Sequence, residues 1–188
     1  KSRGLQFNDE MRAKQLLQNI SYYRMSGYWY PLLADKQNHI FKSEATIEQA
    51  YSIYKFDAKL RSLIFSEISK IEVAVRTQIA DGLWFTDSSL FKNPAKHAKT
   101  LSKIDEEYSR SDEDFVTAFK AKYNDHFPPS WITLEITSLG TLSLLYSNLK
   151  DGVSKRTIAR YFGVADSVMV SWLHAITYIR NICAHHSR

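Results

Sequence analysis

The sequence of 188 residues has few of the residues that crosslink or interrupt a chain. Its single cysteine, Cys183, excludes an intrachain disulfide and fits a reducing compartment, so we expect a cytoplasmic location. No apolar run approaches the ~18 to 20 residues of a membrane-spanning helix, and no signal peptide is visible, so we expect no membrane association. The chain starts at Lys1 rather than at a methionine, and we interpret it as part of a longer protein.

What is present is an ordinary globular composition with a modest basic excess. Hydrophobic residues make up 44% and charged residues 24%, which excludes disordered and fibrous classes. The net charge of +5 favours anionic partners such as nucleic acid. The length predicts one domain over 1–188, in which an aromatic, irregular segment 1–45 packs on a helical core 46–188.

Helical periodicity dominates the chain, because only six glycines and four prolines interrupt it. We predict an all-α bundle with irregular excursions near the N-terminus and in the middle. Segment 22–33 is expected to be irregular or extended, and the polar turn region after it is a possible hairpin. Predicted helices cover about 9–20, 46–54, 57–84, a stretch opened by Pro94, 114–123, 132–149, a short basic helix capped by Ser154, and 168–184.

The last predicted helix separates its side chains into two arcs on a wheel of ~100° per residue. Hydrogen-bonding side chains share one arc of about 80°: Ser171, His174, Tyr178, Asn181 and His185. We call this arc the polar stripe. The opposite arc is predicted to face the core and holds Val168, Met169, Trp172, Leu173, Ala175, Ile176, Ile179 and Cys183.

Arg180 lies within the apolar arc, about 140° around the helix from His185. An arginine on a core-facing arc requires a partner, because burial of its charge alone is very unfavourable. The long helix offers Glu72 inside its own apolar arc, with Arg76 near the edge. Two alternatives remain open here: Glu72 pairs with Arg180, or Glu72 pairs with Arg76 along its own helix while Arg180 reaches solvent.

Four stretches carry a resemblance to a known family. "RNICAHH" has the R-x4-H pattern, Arg180 to His185, that is the signature of the HEPN superfamily. Together with "YYRMSGYWYPL", "FDAKLRSLIFSEISKIEVAVRTQIA" and "PPSWITLEITSLGTLSLLY", it makes the chain resemble the AbiD/AbiF-like abortive-infection family of bacterial phage-defence proteins. These stretches span most of the chain in the order that the family has.

The resemblance implies a metal-independent endoribonuclease that acts as a homodimer, with two R-x4-H motifs in one composite site and no cofactor. It implies that His185 is the acid or base, that Arg180 stabilises charge on the phosphate, that Asn181 orients them and that Glu72 positions Arg180. His186 assists or replaces His185. RNA would be attacked by its own 2′-hydroxyl, leaving a 2′,3′-cyclic phosphate and a 5′-hydroxyl.

Further side chains are candidates for RNA contact. They lie along the last helix and its end, on the short basic helix, on the long helix and in the N-terminal aromatic segment: His174, Tyr178, His186, Arg188, Lys155, Arg156, Arg160, Arg76, Tyr23 and Arg24. The alternatives for them are core packing for the aromatic residues and a solvated face for the basic helix.

Other functions remain open at this point. A non-catalytic module could hold a cognate small RNA, and the polar stripe could instead be a dimer interface in a protein-interaction scaffold. The histidine pair could simply interact favourably with the helix dipole. A zinc site is not expected, because the spacing of Cys183, His185 and His186 matches no usual ligand pattern.

Overall fold

The computed structural model describes residues 2–80 and 84–185, and within these residues the regular structure is nine α-helices, three single-turn 3₁₀ helices and one short hairpin. The predicted all-α class is therefore confirmed. The chain divides into two compact units, Lys1–Leu63 and Ile64–Arg188. Each unit has its own hydrophobic core and is described by itself.

The N-terminal unit begins with two helices, α1 (Glu10–Ile20) and α2 (Tyr22–Trp29). Asp9 caps α1 by accepting hydrogen bonds from the backbone N–H groups of Met11 and Arg12. The expectation of an irregular segment 22–33 is wrong for its first eight residues. Ser21, with a positive φ of 67°, turns the chain sharply and caps α2 by accepting from the N–H of Arg24.

A two-stranded hairpin, β1 (Leu33–Asp35) and β2 (Ile40–Phe41), follows a 3₁₀ turn over Tyr30–Leu32. The side chain of Asp35 accepts hydrogen bonds from the N–H groups of Gln37 and Asn38, which fixes the tight turn. His39 completes the turn with a positive φ of 53°. The small hairpin that the polar composition predicts is therefore present.

The long helix α3 runs without a break over Ile47–Ile79, so the two helices predicted at 46–54 and 57–84 are one. It opens with a capping box in which Thr46 and Gln49 each accept a hydrogen bond from the other's N–H group. Ile47 and Ala50 in the first turn are fully buried with Met25, Trp29 and Ala13 in the N-terminal core.

The C-terminal unit contains the helices α4 (Pro94–Ser109), α5 (Asp114–Lys122), α6 (Ser130–Ile136), α7 (Leu139–Asn148), α8 (Val153–Tyr161) and α9 (Asp166–His185). Helix α7 is central and is buried on most of its circumference, with Leu142 and Tyr146 inaccessible to solvent. Ile68, Val75 and Ile79 bring the second half of α3 into this core.

Two predicted features of this unit are wrong. The helix expected over 132–149 is broken at Thr137, because the side chain of Ser138 starts α7 by accepting from the N–H of Thr141. Glu107 on α4 stabilises the break by accepting from the N–H of Ser138 and the hydroxyl of Thr141. Ser154 does not cap α8, which begins after Gly152 and includes Ser154.

Among the described residues, no single helix has the length and hydropathy of a membrane span, although α8 and α9, which meet at 61°, satisfy that test as a pair.

Candidate active site

Helix α9 buries a narrower face than the sequence predicts. Met169 and Leu173 are 3% and 1% exposed, and Arg180 lies on their side of the helix, seven residues beyond Leu173. Half of the predicted core arc instead faces solvent: Val168, Trp172, Ala175 and Ile179 are exposed. The apolar arc is wider than the surface that neighbouring helices cover, so periodicity alone overestimates the buried face.

All five residues of the polar stripe are exposed. Ser171 donates its hydroxyl hydrogen to the carbonyl of Val168 in its own helix. Farther along, His174, Tyr178, Asn181 and His185 continue the stripe toward the C-terminal end, and the Tyr178 side chain is 63% exposed. The described part of α9 therefore presents a row of hydrogen-bonding groups to solvent.

Arg180 points the other way and meets Glu72 of α3. Its Nε lies 3.9 Å from Oε2 of Glu72, with the arginine side chain 33% exposed and the glutamate 14% exposed. The guanidinium carbon also lies 5.7 Å from the ring centroid of Phe65, one face of which it covers. The predicted proximity of Glu72 and Arg180 is confirmed, but they share a single long contact rather than a bidentate pair.

Arg76 takes the stronger bond to the same carboxylate. Its Nη2 donates to Oε1 of Glu72 at 2.5 Å and to the carbonyl of Thr137 at 2.8 Å, while Nη1 donates to the carbonyl of Glu135 at 2.7 Å. These carbonyls lie at the end of α6, where the helix leaves acceptors unpaired. Both arrangements that the sequence left open are thus present at once, one on each oxygen of Glu72.

The carboxylate of Glu72 therefore has a fixed orientation between two arginines, which differ in how far protein acceptors occupy their N–H donors. Arg76 is 17% exposed and its fork is occupied by protein acceptors, which ties α3 to the break between α6 and α7. Arg180 has an enclosed Nε without a hydrogen-bond partner, as has the hydroxyl of Thr177 one turn earlier. Among the described residues, no hydrogen bond from the Nη groups of Arg180 is found, so these donors can bind an anion at the surface.

The basic helix α8 has fewer solvent-accessible cationic side chains than its sequence implies. Lys155 is 4% exposed and donates to the carbonyl of Leu149 at 3.2 Å, and burial lowers the pKa of its ammonium group. Arg156 and Arg160 are exposed. Of the RNA-contact candidates, Lys155 and Arg76 are therefore enclosed by protein, whereas these two arginines can reach a ligand.

The remaining candidates divide between the N-terminal unit and the chain end. Tyr23 and Arg24 on α2 are both exposed, Tyr23 at 86%. His186 and Arg188 lie outside the described residues. Within 2–80 and 84–185, no three His, Cys, Asp or Glu side chains form a group that could hold a metal ion.

Three features of the site were not predicted from the sequence. Phe65 lies on α3 two turns before Glu72, and helical spacing could have identified it as a neighbour of Arg180. Thr177 precedes Arg180 by three residues on the same face and could have been found in the same way. The carbonyl acceptors of Glu135 and Thr137 had no sequence signal, because they depend on the break between α6 and α7.

A family model described as "Abi-like protein" matches residues 15–188, which is most of the chain. No curated protein and no solved structure gives a significant match.

Proposed function

Because the chain belongs to the Abi-like protein family, we propose that it acts in bacterial abortive infection as an endoribonuclease of the HEPN type. Abortive infection is a defence against phage, and a cytoplasmic ribonuclease acts in it by cutting RNA. The observation that carries the proposal is the position and the hydrogen bonding of the Arg180 guanidinium group. Its Nε lies against Glu72, its Nη groups donate to no other described residue, and Arg180 precedes the exposed His185 by five residues.

The chemistry requires few groups because RNA supplies its own nucleophile. His185 accepts the proton of the 2′-hydroxyl as that oxygen attacks the adjacent phosphorus. The new 2′-oxygen–phosphorus bond forms, the bond to the 5′-oxygen breaks, and a protonated histidine donates a proton to the leaving 5′-oxygen. Arg180 stabilises the negative charge on the phosphate oxygens, and Asn181 helps to orient the reacting groups. Glu72 is a positioning residue that acts through Arg180.

A second copy of the chain completes this site in the proposal. Arg180 and His185 are separated by about 140° around α9, so one helix does not direct both at the same phosphate. One histidine also does not serve as base and acid in the same step. The exposed apolar residues of α9, among them Trp172 and Ile179, offer a surface for a homodimer that brings two R-x4-H motifs together.

The test is cleavage of total bacterial RNA in EDTA by the wild type and three variants. We expect the wild type to cut, and His185→Ala and Arg180→Lys to lose at least about a hundredfold in rate, as general acid–base and charge-stabilising groups do. The matched control is His126→Ala, which removes a histidine of the same unit whose side chain is 73% exposed and which is not a candidate site residue, and it should cut like the wild type. Equal cleavage by His185→Ala, or wild-type cleavage that requires a metal, contradicts the proposal.

The second candidate function is an RNA-binding module without catalysis. It is favoured by the exposure of Tyr23 beside Arg24, since an exposed aromatic next to a cation is a surface on which a base stacks. In that case a cognate small RNA co-purifies with the protein and stays intact at its full length during incubation, while His185→Ala changes nothing.

A further inference from the structure

The positive charge of the chain is concentrated in its N-terminal unit. Residues 1–63 contain ten lysines and arginines against six aspartates and glutamates, a net charge of +4 out of +5 for the whole chain. The C-terminal unit, which contains Arg180 and His185, is close to neutral. An anionic ligand is therefore attracted most strongly to the unit that does not contain the proposed catalytic residues.

A pocket of about 390 Å³ lies entirely within this basic unit. Its deep part is apolar, formed by Trp29, Leu33 and Ile47, which are 7%, 5% and 0% exposed. Tyr22 stands at the opening, 65% exposed, with its ring packed edge-on against Trp29 at 5.1 Å. The volume falls in the roughly 300–1,000 Å³ range of small-molecule sites, and an aromatic wall with an open face is suited to a flat ring.

An arginine and a histidine border the same opening. Arg3 is exposed, and its backbone carbonyl accepts a hydrogen bond from the N–H of Phe41, which ties it to the hairpin. His39 is held at the rim by the turn that Asp35 fixes, in a left-handed conformation that is rare for a residue other than glycine. The pocket thus combines an apolar aromatic interior with a rim that carries the cation of Arg3 and the imidazole of His39.

We propose that this pocket binds an unpaired nucleotide of RNA, with the base against Tyr22 and the adjacent phosphate at Arg3 and His39. A flat ring attached to an anion matches an aromatic wall with an arginine and an imidazole at its rim, and only an unpaired base can leave its stack and enter. The inference rests on the proposed function for its choice of RNA as ligand. It assigns substrate capture to the N-terminal unit and cleavage to the C-terminal one.

The experiment measures binding of a fluorescein-labelled ten-nucleotide adenosine oligonucleotide by anisotropy. The oligonucleotide carries 2′-O-methyl groups, so it has no nucleophile and cannot be cut. We expect Tyr22→Ala and Arg3→Gln each to raise Kd about tenfold, in line with the loss of one stacked base or one phosphate contact, and Tyr22→Phe to bind like the wild type. His39→Asn should weaken binding severalfold while keeping the turn, because asparagine tolerates the left-handed conformation.

Matched controls separate the pocket from general charge and fold. Arg12→Gln removes an exposed cation of the same unit outside the pocket, and Tyr161→Ala removes a tyrosine that is 63% exposed and packs edge-on against Phe162 at the same 5.1 Å. Both should leave Kd unchanged. A duplex of the same oligonucleotide should bind less tightly. If circular dichroism shows that Tyr22→Ala does not fold, the result for Arg3→Gln tests the proposal by itself. That substitution keeps the hydrogen bond from the N–H of Phe41 to the backbone carbonyl of residue 3.

The outcomes for pocket and nuclease are distinct. The pocket proposal fails if the wild type does not bind the oligonucleotide, if Tyr22→Ala and Arg3→Gln bind like the wild type, or if Arg12→Gln weakens binding as much. The choice of RNA as the ligand is wrong if adenosine monophosphate binds as tightly as the ten-mer, because the ligand would then be a free nucleotide. If pocket variants lose binding while the wild type cuts no RNA, the pocket stands and the proposed nuclease fails.

Discussion

Replacement of Arg76 by methionine tests the network that holds the proposed site together. Methionine keeps much of the apolar contact of the arginine stem but removes three hydrogen bonds, at 2.5, 2.7 and 2.8 Å. Among the residues that the structure describes, it leaves Glu72, 14% exposed, with only the 3.9 Å contact to Arg180. It also leaves the carbonyls of Glu135 and Thr137 without their charged donor.

The magnitude follows from the burial of the pair. Removal of one partner from a buried ion pair destabilises by about 3–5 kcal/mol, because the other charge stays buried and unpaired. The exposed fractions of 17% for Arg76 and 14% for Glu72 put this pair close to that case. We therefore expect Arg76→Met to lower the free energy of unfolding by about 3–5 kcal/mol. The double variant Glu72→Met/Arg76→Met removes both charges and should lose less than the sum of the two single variants.

Urea unfolding followed by circular dichroism measures these values, with the pair Lys70–Glu67 as control. That pair lies on the same helix at 2.7 Å, but its side chains are 69% and 67% exposed, so Lys70→Met should change stability by less than about 1 kcal/mol. The reasoning is refuted if Arg76→Met is no more destabilising than Lys70→Met, or if the two single variants add without coupling.

Two further predictions concern α9 and α8. Trp172→Glu places a charge on the exposed apolar face of α9, where Trp172 is 49% exposed, and should convert the proposed homodimer to a monomer in analytical ultracentrifugation. If the variant forms a dimer of unchanged affinity, this face is not part of the dimer interface. Burial lowers the pKa of Lys155, so the unfolded chain binds that proton more tightly, and stability relative to Lys155→Met should rise with pH on the alkaline side, up to the ordinary lysine pKa of about 10.4, in urea titrations. A constant difference across that range would contradict the assignment.

The sequence predicts local features best where a side chain acts on its own helix or turn. The helix starts predicted near residues 9 and 46 and the polar turn after Asp35 depend on residues within four positions of one another. Helical periodicity also places Arg180 on the apolar side of α9 and offers Glu72 as one of two possible pairings, because a charge on a core-facing arc requires a counter-charge.

Features that depend on other elements were not predictable in the same way. The break at Thr137 interrupts a continuous apolar pattern, and the carboxylate of Glu107, thirty-one residues before Ser138, helps to fix it. The exposure of Trp172 and Ile179 depends on how much of the surface of α9 is covered by neighbouring helices. The sequence of α9 alone does not determine that area. The enclosure of Lys155 likewise depends on the carbonyl of Leu149 outside its helix.

Cleavage of one defined RNA in EDTA tests the central claim most directly. A single-stranded RNA should give products that end in a 2′,3′-cyclic phosphate and a 5′-hydroxyl, detectable by mass spectrometry, and the matching 2′-O-methyl RNA should stay intact because it lacks the nucleophile. The wild type and His126→Ala should cut and His185→Ala should not. Cleavage of the 2′-O-methyl RNA, or equal product formation by His185→Ala, would contradict a site built from Arg180 and His185.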